Sequence, residues 1–501
     1  MSTPEPPRPQ PHRIVRRHHA NAPARAALRA ARCLLTVLPL ATGCLVGPHY
    51  QRPLSRLPQD LGDAPYRATP GTTNVISTIE AGWWHAFHDP ILDRLQSLAN
   101  TNNPDLHLAE ARLREARALW SEARFDLAPT THATAGYENT QGSVVSSSGG
   151  ATRDARHNEV YRAGFDATWE LDLFGRVRRS IEATRATVAS VEAVRDDVLI
   201  SLRAEVAANY LSLRGFQAQL AATRASATNQ AASLNLVETL RDGGRTTQLD
   251  VSRASAQLNA TLAIAPPIEA AIDRSIHHLG ILCGLPPREL AGTLLPHAPI
   301  PVATNNLTPP DPAELLRRRP DVRAAERNLA ATTARIGVDV ADLFPRVTFS
   351  GRIAMEAARI GRIDDGGTDS WGFGPRISWS ALDLGKARQR VKASTARSEA
   401  ALAQYEHTVL LVLEETENAL ANYTRQTHRL ALLRAAARDA LQAVSLARQR
   451  YEDGLTDFLT VLDAERVVLT QDTELAATEA NVGVATIALY KTLGGGWAPA
   501  D

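Results

Sequence analysis

Two places in this chain of 501 residues carry side chains whose types and spacing could do chemistry. Leu459, Asp463 and Arg466 stand at i, i+4 and i+7, so a helix would carry an apolar group, a carboxylate and a guanidinium on one face. Taken alone, Asp463 and Arg466 are a solvated i, i+3 pair. Any further reading depends on how many copies of the chain share an axis. The second place is Cys44, which ends the stretch Leu40-Ala-Thr-Gly-Cys44. Three short motifs carry less chemistry. His277-His278 has no carboxylates at ligand spacing, and Gly372-Phe-Gly374 falls inside a strand pattern rather than a phosphate loop. Arg317-Arg-Arg319 at a helix start reads as a solvated charge cluster. The chain has no H-E-x-x-H, no G-x-x-x-x-G-K-[ST] and no G-x-S-x-G. No enzyme and no metal site are expected.

The residues before Cys44 explain it. Arg13, Arg16, Arg17, Arg25, Arg29 and Arg32 form a basic region, Cys33 to Leu40 an apolar one, and Ala41, Thr42 and Gly43 are small. Residues 1–43 therefore read as a secretory signal. Its end resembles a bacterial lipobox. The Cys44 thiol would accept diacylglycerol and, after cleavage, its amine an acyl chain. Several acyl chains anchor a protein stably where one does not. A plain signal with an incidental cysteine is the alternative. Leu45, rather than an aspartate, implies passage on to the outer membrane. Gly47, Pro48, Pro53 and Pro58 read as an extended tether. The 3 cysteines have no metal or redox spacing, and Cys283 reads as a small core residue. No cofactor is expected beyond the covalent lipid on Cys44.

A net charge of +1 argues against nucleic-acid binding through bulk charge. Abundant Ala, Leu, Glu and Arg favour long helices. No apolar run after the leader approaches the roughly 18–20 residues of a spanning helix.

The mature chain is written twice. Asn103-Pro-Asp-Leu-His-Leu-Ala-Glu-Ala-Arg-Leu113 aligns with Arg319-Pro-Asp-Val-Arg-Ala-Ala-Glu-Arg-Asn-Leu329 at an offset of 216. Gly175, Glu205 and Gly284 fall on Gly385, Glu415 and Gly494 at an offset of 210. So does Gly244-x-Thr-x-x-Leu-x-Val-x-x-Ala254 on Gly454-x-Thr-x-x-Leu-x-Val-x-x-Ala464. The chain then divides into a tether and equatorial segment (44–103), a first repeat (104–284), a Pro-rich connector (285–318), a second repeat (319–494) and a tail (495–501). In the first repeat we expect helices over 104–128, 175–242 and 247–284, and strands near 129–137 and 160–172. In the second we expect helices over 319–343, 385–453 and 457–493, and strands near 345–354 and 370–380. The clearest strand puts Tyr161, Ala163, Phe165, Ala167, Trp169 and Leu171 on one face and Arg162, Gly164, Asp166, Thr168, Glu170 and Asp172 on the other. Val347, Phe349, Gly351 and Ile353, and Trp371, Phe373, Pro375, Ile377 and Trp379, repeat that alternation. Gln141–Gly150 and Arg359–Asp369 read as the loops that join each strand pair. A proline-free helix of about 65 residues would be roughly 100 Å long and could not bury its apolar stripe alone.

Four strands with aromatic girdles suit a membrane, but the smallest transmembrane barrels have about eight strands. Open sheet edges are not tolerated in lipid. Several chains must share one barrel, and three would supply twelve strands. The fold class expected is a mixed α+β membrane protein of two tandem repeats, each a β-hairpin with long coiled-coil-like helices. A soluble sandwich with a helical hairpin is the plainer reading of the same pattern.

Here the sequence resembles a family, the TolC-like outer-membrane efflux channels, in their OprM-like (NodT) lipoprotein branch. The residues are Cys44-Leu-Val-Gly-Pro-His-Tyr50 with Pro53; Trp83-Trp84-x-x-Phe87-x-Asp89-Pro90; Trp169-Glu-Leu-Asp-Leu-Phe-Gly175; Arg318-Arg-Pro-Asp-Val322; and Leu489-Tyr-Lys-Thr-Leu-Gly-Gly-Gly-Trp497. They span nearly the whole mature chain in order. The resemblance implies a homotrimer in the outer membrane of a Gram-negative bacterium, with a twelve-stranded barrel and an α-helical periplasmic tunnel. It implies two partners, a periplasmic membrane-fusion adaptor and an inner-membrane pump of the RND type. It also implies that Leu459, Asp463 and Arg466 constrict the closed periplasmic aperture, with Leu249, Arg253 and Ala256 as their first-half counterparts. Threefold symmetry would make a ring of each, and ringed carboxylates can gate and select. Arg253 could pair with Asp463 of a neighbouring helix. The tips Gly244-Arg-Thr246 and Gly454-Leu455-Thr456, helix turns in themselves, are where the adaptor would dock. The function implied is a passive exit duct for small molecules. The alternatives are a duct for metal cations or proteins, or a structural helical lipoprotein without a pore.

Overall fold

The computed structural model describes residues 2, 44–53, 82–143, 156–303 and 312–495. The rest of the leader, tether residues 54–81, most of the Ser/Gly-rich loop, connector residues 304–311 and the tail with Trp497 lie outside the described residues. Among the described residues the chain is mostly helical with one antiparallel sheet, and it divides into two compact units. The first holds Met1–Val46, Pro129–Arg178 and Ala341–Leu382; the second holds Gly47–Ala128, Arg179–Val340 and Asp383–Asp501.

The helical unit begins with two proline-started helices, α1 (Pro90–Asn102) and α2 (Pro104–Phe125). A proline at the first helical position gives up an N–H that has no intrahelical partner there. Asp89 caps α1 by accepting from the N–H groups of Ile91 and Leu92 at 2.8 and 3.1 Å. Asn103 caps α2 by accepting from Leu106 N–H at 2.9 Å. The strands are β1 (Thr130–Gln141) and β2 (His157–Leu171), followed by the 67-residue α3 (Arg176–Asp242).

Where one helix is expected over 247–284, the chain forms two, α4 (Gln248–Leu262) and α5 (Ala265–Leu282). Pro266 and Pro267 cannot donate to carbonyls a turn back, so the first helix stops short of them and they open the second. After the single turn α6 (Ala291–Leu294) come α7 (Pro312–Arg318) and α8 (Pro320–Ala341), then β3 (Arg346–Ala357) and β4 (Asp369–Ser378). The 69-residue α9 (Leu384–Glu452) and α10 (Phe458–Thr492) complete the chain. No proline interrupts α10, so the counterpart of the α4–α5 pair is continuous.

Buried aromatics hold the helical unit together. Trp83 stacks on Tyr490 with ring centres 5.0 Å apart, and Trp84 and Phe87 meet Trp83 edge-on. Tyr210 donates its hydroxyl to Asp89 at 2.6 Å, tying the α1 cap to the middle of α3. Cys283 is fully buried in this core, and burial pushes its thiol up to about 11. Arg319 is not solvated: it is 6% exposed and grips Asp321 at 2.6 Å, Glu415 at 2.8 Å and the Thr492 carbonyl at 3.2 Å. It therefore joins the start of α8 to α9 and the end of α10.

In the sheet unit the strand order is β1-β2-β3-β4, all antiparallel. The register keeps one face apolar: Phe165 lies between Ala133 and Ile353, Trp169 opposite Phe349, and Ile353 opposite Trp371. The strands run further into their turns than the alternation suggests, because Asn139, Thr140 and Gln141 pair with Glu159, Asn158 and His157 through the backbone ladder. That pairing needs no apolar side chains.

Candidate functional site

The two tight turns predicted at Gly244 and Gly454 are built alike. Gly244 has φ +72 and Gly454 φ +71, the left-handed conformation that a residue without Cβ adopts freely. Arg245 N–H reaches back to the Leu240 carbonyl at 2.8 Å, and Leu455 N–H to the Arg450 carbonyl at 2.8 Å. Each turn leads straight into a capped helix. Asp250 accepts from the hydroxyls of Thr246 and Thr247 at 2.8 Å each. Asp457 accepts from Thr460 N–H at 3.1 Å and its hydroxyl at 2.7 Å, and Thr456 donates to the same Thr460 hydroxyl at 3.0 Å.

The caps set the local charge. Burial works against the Asp250 carboxylate, but the Thr246 and Thr247 hydroxyls, the Thr247 N–H and Arg253 outweigh it and hold its pKa below the ordinary value. Hydrogen bonds from Thr460, with a smaller push from Arg253, do the same for Asp457.

One core holds both turns. Val237 of α3, Val251 and Ala254 of α4, Ala447 of α9 and Phe458, Val461 and Leu462 of α10 form a single buried cluster. This packing brings α4 against α10, so that Arg253, Ala256, Gln257, Leu459, Leu462, Asp463 and Arg466 line one open groove. Of the residues expected at an aperture, Leu459, Asp463, Arg466, Arg253 and Ala256 line this groove although Arg253 and Asp463 are far apart in sequence; Leu249 is not among its lining. Within the chain Asp463 meets Arg466 at 2.7 Å, and Arg253 meets Asp250 at 3.8 Å. Each pair is an i, i+3 neighbour on its own helix, which costs less side-chain ordering than a reach across the groove. Leu249, Leu455 and Leu459 are exposed.

A further apolar surface lies on the sheet. Tyr137, Phe165, Ile353, Trp371, Phe373 and Ile377 are all more than half exposed on one face. Strands β1 and β4 are edges of the sheet in this chain. The opposite face is charged: Arg162 bonds Glu356 at 2.9 Å, and Arg352 approaches the same carboxylate at 3.2 Å. The segment Glu170-Leu-Asp-Leu-Phe-Gly175 forms the joint from β2 to α3. Asp172 accepts from the N–H groups of Val177 and Arg178 at 3.1 and 3.0 Å. Glu170 grips Arg176 at 2.9 and 2.8 Å, and Phe174 stacks on Phe344. Cys44 is exposed, and the N–H of nearby Val46 reaches the Phe174 carbonyl at 3.3 Å.

Several functional-looking contacts leave little trace in the sequence. The Tyr210–Asp89 bond has one available signal, the Asp-Pro helix start. His278 meets Glu205 at 3.0 Å, but no group of three or more His, Cys, Asp or Glu suited to a metal occurs among the described residues. No helix among them is long and apolar enough to cross a membrane.

Residues 95–277 and 312–495 both match the outer membrane efflux protein family. The chain is 30% identical over 457 residues to the toluene efflux pump outer membrane protein TtgI of Pseudomonas putida, covering 91% of this chain and 96% of that one. It is 28% identical over 473 residues to nodulation protein T of Rhizobium leguminosarum bv. viciae, covering 94% and 95%. Among solved structures, the outer-membrane channel OprN superposes with a TM-score of 0.84 at 40% identity, over 91% of this chain and all of that one. The open state of the MtrE outer membrane channel of Neisseria gonorrhoeae superposes with a TM-score of 0.79 at 26% identity, over 90% and 98%.

Proposed function

This chain belongs to the outer membrane efflux protein family, and from that premise we propose that three copies form the outer-membrane duct of a tripartite efflux system. The observation that carries the reading is the four-stranded sheet, whose two edge strands have no further strand beside them among the described residues, with its continuous exposed aromatic face. Such a sheet is untenable alone in lipid. Three copies joined edge to edge give twelve strands, the aromatic face outward and the Arg162–Glu356 face lining the lumen. The long helices α3 and α9 with their return helices form the periplasmic tunnel. The family match likewise comes in two stretches, residues 95–277 and 312–495. The duct itself is passive, and an inner-membrane RND-type pump supplies the energy through a periplasmic adaptor docked at Gly244–Thr246 and Gly454–Thr456.

The groove of Leu459, Asp463, Arg466 and Arg253 is the gate. In a trimer Asp463 recurs three times around the axis, and like charges in a ring favour a cation or a neighbouring guanidinium between them. Arg466 supplies that guanidinium from within each chain. Cys44 carries the lipid and lies free to do so. The cargo class is small organic molecules, in line with relatives named for solvents and toluene.

A strain lacking this chain tests the reading. It should retain more of a hydrophobic dye than its parent, and the restored protein should run as a trimer from the outer membrane. Unchanged dye retention together with a monomer would overturn it and favour a structural lipoprotein.

A further inference from the structure

Residues 47–52 do not hang free as a tether should. Gly47 has φ +85, and its carbonyl accepts from Arg179 Nη2 at 3.1 Å. Arg179, in the first turns of α3, is fully buried, and its Nη1 meets Glu182 at 2.8 Å. Gly47 lies backbone to backbone on Gly337 of α8: a Cβ on Gly47 would fall 2.5 Å from the Gly337 Cα. A Cβ on Gly337 would in turn strike the Arg179 stem at 2.7–2.8 Å. Glycine is a destabilising choice inside a helix. Here it makes room for both the arginine and the strap.

Three residues on, the strap is held again. Tyr50 donates to Glu326 of α8 at 2.9 Å, Arg52 approaches the same carboxylate at 3.6 Å, and the Arg327 guanidinium lies over the tyrosine ring at 5.8 Å. Glu326 is itself only 4% exposed. Burial, then the Glu326 charge, pushes the Tyr50 phenol upward, so it stays a donor at any physiological pH. A buried acid and a buried guanidinium thus each commit a hydrogen bond to a segment whose composition suggests nothing but flexibility.

We infer that Gly47–Arg52 is a strap seated along α8, with Arg179 and Glu326 as its two latches, and that this seat fixes where the anchored end of the chain emerges. Cys44 is three residues before Gly47, so whatever it carries stands within about 10 Å of the first latch. The latches are positioning residues: they set the anchor's place and touch no cargo. The inference goes beyond the duct reading and holds whether or not Cys44 is acylated.

The test is chymotrypsin cleavage after Tyr50 in the full-length protein in detergent, followed by the mass of the released Cys44–Tyr50 peptide. The seated wild-type strap should resist while exposed loops are cut. Tyr50→Phe keeps the cleavage site and removes the bond to Glu326. Arg179→Met removes the other latch and keeps the stem. Both should release the peptide about tenfold faster or more, since cleavage follows the population of the open form. Release from wild type as fast as from Tyr50→Phe would overturn the strap, and so would wild-type resistance in Arg179→Met and Tyr50→Phe alike. Should Arg179→Met fail to fold, Tyr50→Phe alone decides. The peptide's mass reports acylation separately, so an unmodified Cys44 would count against the lipoprotein reading and leave the strap standing.

Discussion

At the scale of single residues, charged caps add to the small apolar core that holds the helix tips. Asp250 closes α4 onto the turn at Gly244, with two threonine hydroxyls and Arg253 favouring its charged form over the cost of burial. Its folded-state pKa is therefore depressed below the ordinary value of 3.8. The sign of the linkage follows: the stabilisation is whole above the unfolded pKa and is lost as pH falls through the folded one. Wild type should melt above Asp250→Asn at neutral pH, and the two melting temperatures should converge on acidification below 3.8. A gap that widens on acidification would show that the cap is misassigned. At this scale the sequence is least informative. Arg319 sits in an Arg-Arg-Arg run that looks solvated, and its partners Glu415 and Thr492 lie in helices distant along the chain. Gly47 likewise looks like linker, because its latch Arg179 is 132 residues away. Neither contact leaves a periodic trace.

At the scale of elements, patterning is legible wherever side chains alternate or repeat. β2 can be read directly, since Tyr161 to Leu171 keep apolar residues on one face and the structure pairs them with apolar residues of β3. The limits of β1 cannot, because Asn139 to Gln141 are polar and are held only by the ladder. The break between α4 and α5 is written in Pro266-Pro267, but the proline-free counterpart in the second half is continuous, and the repeat therefore suggests one helix where there are two. The apolar face makes its own prediction. Phe165 is central on that face and 68% exposed in the chain. If the face meets lipid, Phe165→Arg should destabilise the assembled sheet by about 2–4 kcal/mol and deplete trimer in the outer-membrane fraction. Ser350→Arg, on the opposite face, should leave trimer in place. Equal effects of the two would mean that the face is not lipid-exposed.

At the scale of the whole molecule, the proposed trimeric duct would give each open-edged sheet a neighbour and would repeat Asp463 three times. The internal repeat makes the overall organisation legible, because the main landmarks of one half have counterparts in the other. That copies of the chain stand beside one another is not written in periodicity; the proposal of it rests on the intolerance of lipid for an unpaired edge. The measurement that bears most directly on the duct is single-channel conductance of the purified trimer in planar bilayers, wild type beside Asp463→Ala. Wild type should give small or rare unitary steps and the variant larger or more frequent ones. Identical steps in both would remove the gate from Asp463, and silence from folded trimers of both would contradict the duct itself.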